Sequence, residues 1–303
     1  MASVLITGTS KGIGLEAALA FGRAGHKVHA TMRNPSRSPE LARRVAEEKL
    51  PITVTTMDVD SDESVRDDIA AIQKEHGPID VLVNNAGVER AGSVEELALG
   101  EFRAVMETNY FGALRCIQAV APHMRKRRSG CIINVSSVAG RITSPPLAAY
   151  TASKWALEAL SEALAGEMKT FGVRVAIVEP GIIDTAMARR IGECPERSAY
   201  RQRERFGALF TASLKNPVPP SLVAQKILEV AENGTWQLRH PVGPDAVPFL
   251  EWRRGFSDEE WVELNASDDE TWNRRMGLDL GLNTKAANQL ASEDKNHQSR
   301  TSR

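Results

Sequence analysis

Short runs of apolar, largely β-branched residues alternate with longer stretches of helical periodicity through the first 240 residues. This alternation is typical of βαβ units around a parallel sheet. The short runs predict strands at Ser3–Thr7, Lys27–Met32, Ile52–Met57, Val81–Asn84, Cys131–Val135 and Val173–Val178, with a weaker strand at Trp236–Leu238. The periodic stretches predict helices at Ile13–Ala24, Ser61–Glu75, Leu99–Arg127, Ala148–Phe171 and Ser221–Ala231. The expected fold is an α/β domain, with a doubly wound parallel sheet of about seven strands.

Two segments depart from this rhythm. Residues 185–218 mix many charges with apolar residues, namely Met187, Ile191, Phe206, Leu209 and Phe210. Long insertions often cover binding sites, so this segment is predicted to be a lid within a catalytic domain of residues 1–240, and an ordinary helix and loop connection is the alternative. Residues 241–291 are predicted to be a C-terminal extension packed on the same domain, and the polar residues 292–303 a disordered tail.

The charge balance excludes several classes of partner. A formal net charge of −1 provides no general attraction for nucleic acid or anionic lipid. The basic run at residues 125–128 lacks interleaved aromatic residues, and it is more typical of a helix C-terminus than of a nucleic-acid surface. No apolar run approaches the roughly 20 residues that span a bilayer. No nucleic-acid partner and no membrane span are therefore expected.

The cysteines and histidines carry no metal or disulfide pattern. Cys116, Cys131 and Cys194 are too few and too irregularly spaced for a disulfide framework or a zinc site, and the six histidines show no ligand spacing. The chain runs from Met1 directly into an apolar strand, without the features of a signal peptide. A cytoplasmic protein with reduced thiols and no metal is expected.

A glycine-rich turn joins the first strand to the first helix, in the sequence TGTSKGIG at residues 7–14. Gly8 permits a sharp turn, Gly12 allows backbone to approach a phosphate, and Gly14 allows the helix to pack closely on the sheet. The N-terminus of the helix would then face a pyrophosphate. Such a turn is a weak signal alone, because an ordinary βα loop can share it, but its position between strand and helix favours a dinucleotide site.

Further groups lie at the carboxyl ends of later strands, the edge at which open α/β sheets bind ligands. Asp58 could accept a hydrogen bond from an adenine amino group, and the small residues of Asn85-Ala86-Gly87 would let a ribose approach the backbone. Pro180-Gly181 follows a later strand. Each group alone would be ordinary turn chemistry, so the prediction depends on their convergence.

Ser137, Tyr150 and Lys154 form the pattern that points most directly to chemistry. Ser137 lies thirteen residues before Tyr150, and Lys154 lies four residues after it, on the same helix face. A tyrosine is a poor base at neutral pH, but a nearby ammonium favours the phenolate. The pair is therefore predicted to be a general acid and base.

Together, the glycine turn, residues 84–87, Asn109, Ser137, Tyr150-x-x-x-Lys154 and Pro180-Gly181 resemble the short-chain dehydrogenase/reductase family over about residues 2 to 240. The resemblance implies a single-domain Rossmann enzyme in which Tyr150 is the general acid and base and Ser137 binds the substrate oxygen. Lys154 would lower the pKa of Tyr150 and hold the nicotinamide ribose, and Asn109 would kink its helix and anchor a water near Lys154.

The same resemblance implies a set of cofactor contacts and an assembly. The contacts would be Gly8, Ser10, Lys11, Gly12, Ile13, Gly14, Arg33, Asp58, Val59, Asn85, Ala86, Gly87, Tyr150, Lys154, Pro180, Gly181, Ile183 and Thr185. By similarity, the helices predicted at residues 99–127 and 148–171 are dimerisation faces. A homodimer or homotetramer is expected.

Two cations favour NADP(H) over NAD(H). Lys11 lies in the glycine turn and Arg33 just after the second strand, where both could meet a 2′-phosphate. NAD enzymes of this fold usually place a carboxylate at that strand end, and residues 31–33 contain none. The alternative is that both are ordinary surface cations.

The expected activity is interconversion of an alcohol and a ketone or other carbonyl on a fairly bulky apolar substrate. Residues 178–181 and 30–33 resemble the hydroxysteroid and retinol branch of the family. A 3-oxoacyl thioester reductase is the alternative enzyme, and a dinucleotide-binding sensor without turnover is the alternative of another class. The intact Ser137, Tyr150 and Lys154 argue against the sensor. No histidine is suitably placed to activate a serine, so a hydrolase is not supported.

Overall fold

Seven parallel strands form the sheet of the computed structural model, which describes residues 1–193 and 198–285. The spatial order is β3-β2-β1-β4-β5-β6-β7. The strands are β1 Ser3–Thr7, β2 Lys27–Met32, β3 Ile52–Thr56, β4 Val81–Asn84, β5 Gly130–Val135, β6 Val173–Pro180 and β7 Arg239–Val242. This confirms the doubly wound α/β fold, and the strand order reverses between β1 and β4.

The seventh strand is present but begins at Arg239, three residues after the start predicted near Trp236–Leu238. Polar side chains hold the preceding residues in turns: Asn233 Oδ1 accepts from the Thr235 amide, and Thr235 Oγ1 accepts from the Gln237 amide. Trp236 is half exposed, and its ring lies 5.7 Å from the Lys169 ammonium. The apolar side chain that suggested a strand at Trp236 therefore lies at the surface, where it contacts Lys169.

All five predicted helices are present, one of them interrupted, and the described residues form six further α-helices, one before β3 and the others in residues 185–218 and the C-terminal extension. The α-helices are α1 Gly12–Arg23, α2 Glu40–Glu48, α3 Asp62–His76, α4 Leu99–Met106, α5 Gly112–Arg127, α6 Ala148–Lys169, α7 Ala186–Glu193, α8 Gln202–Ser213, α9 Pro220–Glu232, α10 Ala246–Arg254, α11 Asp258–Ala266 and α12 Asp269–Leu280. Helix α2 was not predicted, since it is highly charged and buries only Leu41. The single helix predicted at residues 99–127 is interrupted by a π-helical turn at Glu107–Phe111.

Two apolar layers cover the sheet, one on each face. Alternate residues of β1 point to opposite layers: Val4 and Ile6 pack with residues of α1 and α9, and Leu5 packs with residues of α3 and α5. All three side chains are fully buried. Strands buried on both faces explain why the strand sequences are continuously apolar rather than alternating.

A third apolar cluster joins the segment predicted to be a lid to the C-terminal extension. The lid contributes residues of α7 and α8, and the extension contributes residues of α10 and α11; the buried members include Ile191, Phe206, Phe210, Phe249, Leu250, Trp261 and Leu264. The Trp261 indole also donates a hydrogen bond of 3.1 Å to the Thr143 carbonyl. Cys194 and the predicted tail at 292–303 lie outside the described residues. Among the described residues, no helix has the length and apolarity that a membrane crossing requires.

We predict that Trp261→Ala destabilises the protein strongly, because it empties a buried site at the junction of lid, extension and core. Trp261 is 6% exposed, and replacement of a buried tryptophan by alanine typically costs about 3–5 kcal/mol. Urea denaturation measures the loss. The control is Val262→Ala, since Val262 is 67% exposed on the same helix and its loss should change the free energy of unfolding by less than about 0.5 kcal/mol. If Trp261→Ala lowered the free energy of unfolding no more than Val262→Ala does, the extension would add no stability through this site.

Candidate active site

The glycine turn is shaped by close contact with the end of β4. Gly8 has a φ of +71°, and a Cβ atom there would lie 2.7 Å from the Ala86 Cα. A Cβ atom on Gly14 would lie 2.4 Å from both Asn85 Nδ2 and the Gly8 carbonyl oxygen. Only glycine fits these two positions: the positive φ of Gly8 makes the sharp turn, and at Gly14 the space of a side chain is taken by Asn85 and the Gly8 carbonyl.

Hydrogen bonds tie the same turn to β4 across the point where the strand order reverses. Thr7 Oγ1 accepts hydrogen bonds of 3.1 Å and 3.0 Å from the amides of Asn85 and Ala86. The Asn85 side chain also donates to the carbonyls of Thr7 at 2.9 Å and Gly8 at 3.1 Å. The Asn85 side chain is therefore occupied in holding the turn open.

A group of cations lies at the end of the cavity beyond β2. Lys11 and Arg33 both line it, as predicted, and both are exposed. Arg33 Nη1 lies 3.8 Å from Asp60 Oδ2, a weak contact that leaves the guanidinium available. Arg37 also lines this end, and no sequence pattern predicted it, because it lies in a short turn after Asn34 rather than at a strand end.

The π-helical turn places Asn109 between two other parts of the site. Its Oδ1 accepts a 2.8 Å hydrogen bond from the Val88 amide, and its Nδ2 donates to the Val88 carbonyl and to Ser153 Oγ, both at 2.9 Å. The irregular helix expected around Asn109 is present. Asn109 connects the loop after β4 to α6, and the water expected near Lys154 stays a prediction.

Ser137, Tyr150 and Lys154 line one cavity, although they come from two different elements. Ser137 follows β5 and caps a short helical turn, where its Oγ accepts from the Ala139 amide at 3.1 Å. Tyr150 and Lys154 lie one turn apart on α6, with the ammonium 5.6 Å from the centre of the tyrosine ring. Lys154 Nζ donates a 2.8 Å hydrogen bond to the Val135 carbonyl at the end of β5.

Burial determines the protonation of this group. It raises the pKa of Tyr150 to about 12, with Ser137 acting in the opposite direction through a hydrogen bond and Glu89 adding to the rise. Burial also lowers the pKa of Lys154 to about 8, and the carboxylate of Glu158 partly opposes this fall. At neutral pH the tyrosine is therefore a neutral phenol and the lysine carries a proton.

The loop after β6 is fixed by a residue of the C-terminal extension. Asp245 Oδ2 accepts a 2.7 Å hydrogen bond from the Ile182 amide, and a Cβ atom on Gly181 would lie 2.1 Å from Asp245 Oδ1. The loop then reaches the glycine turn, where a Cβ atom on Gly12 would lie 3.5 Å from Thr185 Cγ2. Asp245 was missed by the sequence analysis, because nothing in the local pattern links it to a loop more than sixty residues earlier.

One continuous cavity of about 800 Å³ is lined by the glycine turn, the cations, Ser137, Tyr150, Lys154 and the loop after β6, whereas Asn109 and Asp245 lie outside its lining. One end is lined by the glycine turn and the cations. The other end is apolar and is bordered by α7, α8 and α10, with a lining that includes Ile142, Leu147, Met187, Ile191, Phe206, Leu209, Phe210, Phe249 and Trp252. The cavity also brings together the other residues predicted to contact a cofactor, namely Ser10, Ile13, Asp58, Val59, Gly87, Pro180 and Ile183.

Comparison with known proteins supports the family resemblance of the sequence motifs. The family model described as short chain dehydrogenase matches residues 2–195. The chain belongs to the short-chain dehydrogenase family. This confirms the resemblance and makes the protein an oxidoreductase of a family that binds nicotinamide dinucleotides. The glycine turn fits such a cofactor, because Gly8 and Gly14 hold the turn close to β4 and all three glycines line the cavity beside the N-terminus of α1.

Three relatives illustrate the range of the match. Oxidoreductase BOA17 from Botryotinia fuckeliana is 35% identical to this chain, and the match covers 86% of this chain and 96% of BOA17. Human retinol dehydrogenase 8 is 42% identical over 60% of this chain and 59% of its own. A structure of a variant of actinorhodin polyketide ketoreductase with NADPH superposes with a TM-score of 0.71 at 30% identity, covering 81% of this chain and 97% of that protein.

We predict that the buried Lys154 makes the stability of the apoprotein depend on pH. Its folded-state pKa is about 8 against an ordinary value of 10.5, so between these pH values the unfolded chain binds more protons and the free energy of unfolding rises with pH. The difference in this free energy between wild type and Lys154→Met should therefore grow by roughly 2–3 kcal/mol from pH 7 to pH 10.5.

Chemical denaturation of both proteins across this pH range measures the difference. Lys74→Met is the control, since Lys74 is an exposed lysine on α3 and its substitution removes the same charge at a distant position. A wild-type minus Lys154→Met difference that stays flat or falls with pH would contradict the prediction.

Proposed function

We propose that this short-chain dehydrogenase uses NADP(H) to interconvert a secondary alcohol, or an alcohol at the aldehyde level, and a carbonyl on a bulky apolar substrate. The observation that carries the proposal is the shared cavity. Ser137, Tyr150 and Lys154 line the middle of it, between the glycine turn and the apolar lid. A proton donor thus lies where a dinucleotide site meets an apolar site.

Tyr150 is the proton donor during carbonyl reduction. Its raised pKa keeps the phenol protonated at neutral pH, so a proton is available at Oη. Ser137 hydrogen-bonds with Tyr150 and would bind the same substrate oxygen. The Lys154 ammonium, 5.6 Å from the ring centre, favours the phenolate that remains after proton transfer. In the oxidation direction the same phenolate would accept the proton from the alcohol.

The bound nicotinamide would supply or accept the hydride at the carbonyl carbon. Lys154 would donate hydrogen bonds to the nicotinamide ribose, and the α1 N-terminus would face the pyrophosphate. Asp58 and Val59 lie where the adenine would bind, and the loop from Pro180 to Thr185 would cover the nicotinamide end. These contacts would orient the cofactor toward Tyr150.

The apolar end of the cavity supports a bulky substrate without charge. Phe206, Phe210 and Trp252 line this end, from both the lid and the extension. Since these segments share one apolar cluster, their closure would exclude water from the carbonyl. Among the alternatives, a sensor without turnover is less well supported, because all three proton-transfer side chains are present in one cavity.

A 3-oxoacyl thioester reductase is the second candidate. The structural match to a polyketide ketoreductase favours it. The apolar lining under the proposed lid favours a free ketone or alcohol, since an acyl carrier or coenzyme would have to pass the lid. NADPH oxidation measured against ketosteroids, retinal, long-chain ketones and 3-oxoacyl thioesters tests both candidates. Turnover restricted to thioesters would replace our proposal by the second candidate, and no turnover of any carbonyl would support the sensor.

Assembly as a homodimer or homotetramer is also proposed. Large apolar side chains are exposed on α4, the π turn and α6, namely Leu99, Phe111 and Trp155, with exposures of 63%, 41% and 48%. These are the elements that the family resemblance implies as dimerisation faces. Burial of such side chains in an interface would stabilise it.

We predict that Tyr150→Phe removes turnover while leaving NADPH binding intact, because the substitution deletes the proton donor and keeps the ring. The loss of kcat should be about 10²–10⁴-fold, the usual contribution of a general acid. Steady-state kinetics and a fluorescence titration with NADPH measure the two properties separately. Tyr200→Phe, on the lid surface, is the matched control and should keep its rate. A Tyr150→Phe enzyme with more than about a tenth of wild-type activity would refute the assignment.

We predict that Arg33 determines a preference for NADP(H), because its guanidinium can pair with the 2′-phosphate in a bidentate geometry. Arg33→Ala should weaken kcat/KM for NADPH about tenfold, the low end of the range for hydrogen bonds to charged groups, since the side chain is 64% exposed. Arg33→Asp should move the preference toward NADH, because a carboxylate repels the phosphate and accepts hydrogen bonds from free ribose hydroxyls.

Kinetics with NADPH and NADH at one fixed ketone concentration test this prediction. Arg66→Ala is the control, since Arg66 is similarly exposed but lies on α3. A wild-type enzyme that already prefers NADH would show that Arg33 is an ordinary surface cation.

A further inference from the structure

A cluster of charged residues lies behind Lys154. Glu158 lies one turn after Lys154 on α6 and is 5% exposed, and Glu179 on β6 is completely inaccessible to solvent. Arg239 reaches this cluster from β7. Buried carboxylates are costly unless they are paired, so their presence beneath an active site calls for a physical explanation.

The register of the sheet brings these residues to one face. Ile177 on β6 pairs with Arg239 on β7, and Glu179 lies two residues further along β6, so its side chain points to the same side. On the neighbouring strand, Asn134 donates to Ser161 Oγ on α6, which identifies this side as the one that α6 covers. Side chains from three elements therefore meet beneath α6.

The distances distinguish the two carboxylates. Arg239 Nε donates a 2.9 Å hydrogen bond to Glu158 Oε2 but lies 3.9 Å from Glu179 Oε1. Arg141 Nη1 approaches Glu179 no closer than 3.5 Å. Burial and the nearby Glu158 raise the pKa of Glu179 to about 7, so this carboxyl group carries a proton for a large part of the time at neutral pH. Glu158 is thus the carboxylate that Arg239 pairs with directly.

Tyr150, Lys154 and Glu158 follow one another at intervals of four residues on α6, and residues at this spacing share a face with Cβ atoms about 5–6 Å apart. The Lys154 ammonium has one neutral hydrogen-bond acceptor, the Val135 carbonyl, and its burial disfavours the charge. The negative charge of Glu158 opposes that effect of burial.

We propose that Glu158 is a positioning residue for Lys154: its buried carboxylate, paired with Arg239, keeps the Lys154 side chain in the ammonium form. The effect of Lys154 on the chemistry of Tyr150 rests on the proposed function, whereas the effect of Glu158 on the charge of Lys154 does not. Other charged groups face the cluster from each packed element. Glu162 extends it along α6, Arg141 comes from the turn after β5, and Glu89 faces Tyr150 from the loop after β4.

A direct measurement of the Lys154 pKa tests the proposal without requiring activity. Trace labelling with acetic anhydride over a range of pH, followed by mass spectrometry of the peptide containing Lys154, reports the fraction of free amine, and Lys154 borders the cavity through which the reagent enters. Glu158→Gln should lower the Lys154 pKa by about one unit, the low end of the effect of a close opposite charge.

Glu162→Gln is the matched control. Glu162 accepts a 2.6 Å hydrogen bond from the same arginine, but its side chain is 63% exposed and it lies two turns from Lys154. Its substitution should leave the Lys154 pKa unchanged, and Glu158→Asp should restore most of the wild-type value. If Glu158→Gln does not fold, Glu158→Gln combined with Arg239→Gln removes both partners and should lower the pKa in the same direction. Equal values in wild type and the Glu158 variants, or an equal fall with Glu162→Gln, would overturn the proposal.

The pH profile of carbonyl reduction gives the second readout. In Glu158→Gln the alkaline limb of kcat/KM should move toward lower pH by the same amount as the labelling pKa, with near-normal rates at the acid end. A labelling shift in a protein without turnover would support the role of Glu158 and refute the proposed function. A fully active enzyme with no shift in either readout would refute the role of Glu158 alone.

Discussion

The contact between the ends of β1 and β4 is the constraint on which the site depends. Asn85 donates two hydrogen bonds to Thr7 across it, and the absence of side chains at Gly8 and Gly14 lets the two strand ends approach. The sheet winds in opposite directions from this point, so a crevice opens above it. A side chain at either glycine would push the turn away from β4 and close the crevice.

The buried ionisable groups in and near the site lower the stability of the fold. Lys154, Glu158 and Glu179 are buried charged or titratable groups, each within or directly behind the cavity. Desolvation disfavours the ionised forms, as the low pKa of Lys154 and the high pKa of Glu179 show. The two apolar layers on the sheet offset this cost, which is the usual relation between a stable scaffold and a strained functional centre.

The cavity is completed by segments that are distant in the chain. The lid, α10 and α11 share one apolar cluster, and Asp245 fixes the loop at Gly181 and Ile182. The substrate end therefore depends on the C-terminal extension for both its lining and its shape. A change in that extension would alter the same cavity that α7 and α8 line.

Local sequence determined the strands from β1 to β6, the glycine turn, the spacing of Tyr150 and Lys154, and the position of Arg33. Each of these follows from periodicity, backbone requirements or spacing within one element, and such signals need no knowledge of distant contacts. The position of β7, the π turn at Asn109, the Asp245 contact and the Glu158, Glu179 and Arg239 cluster were decided by tertiary structure. Strand pairing and burial bring these residues together from separate elements, and burial then sets the charge of groups that look like ordinary surface residues in the sequence.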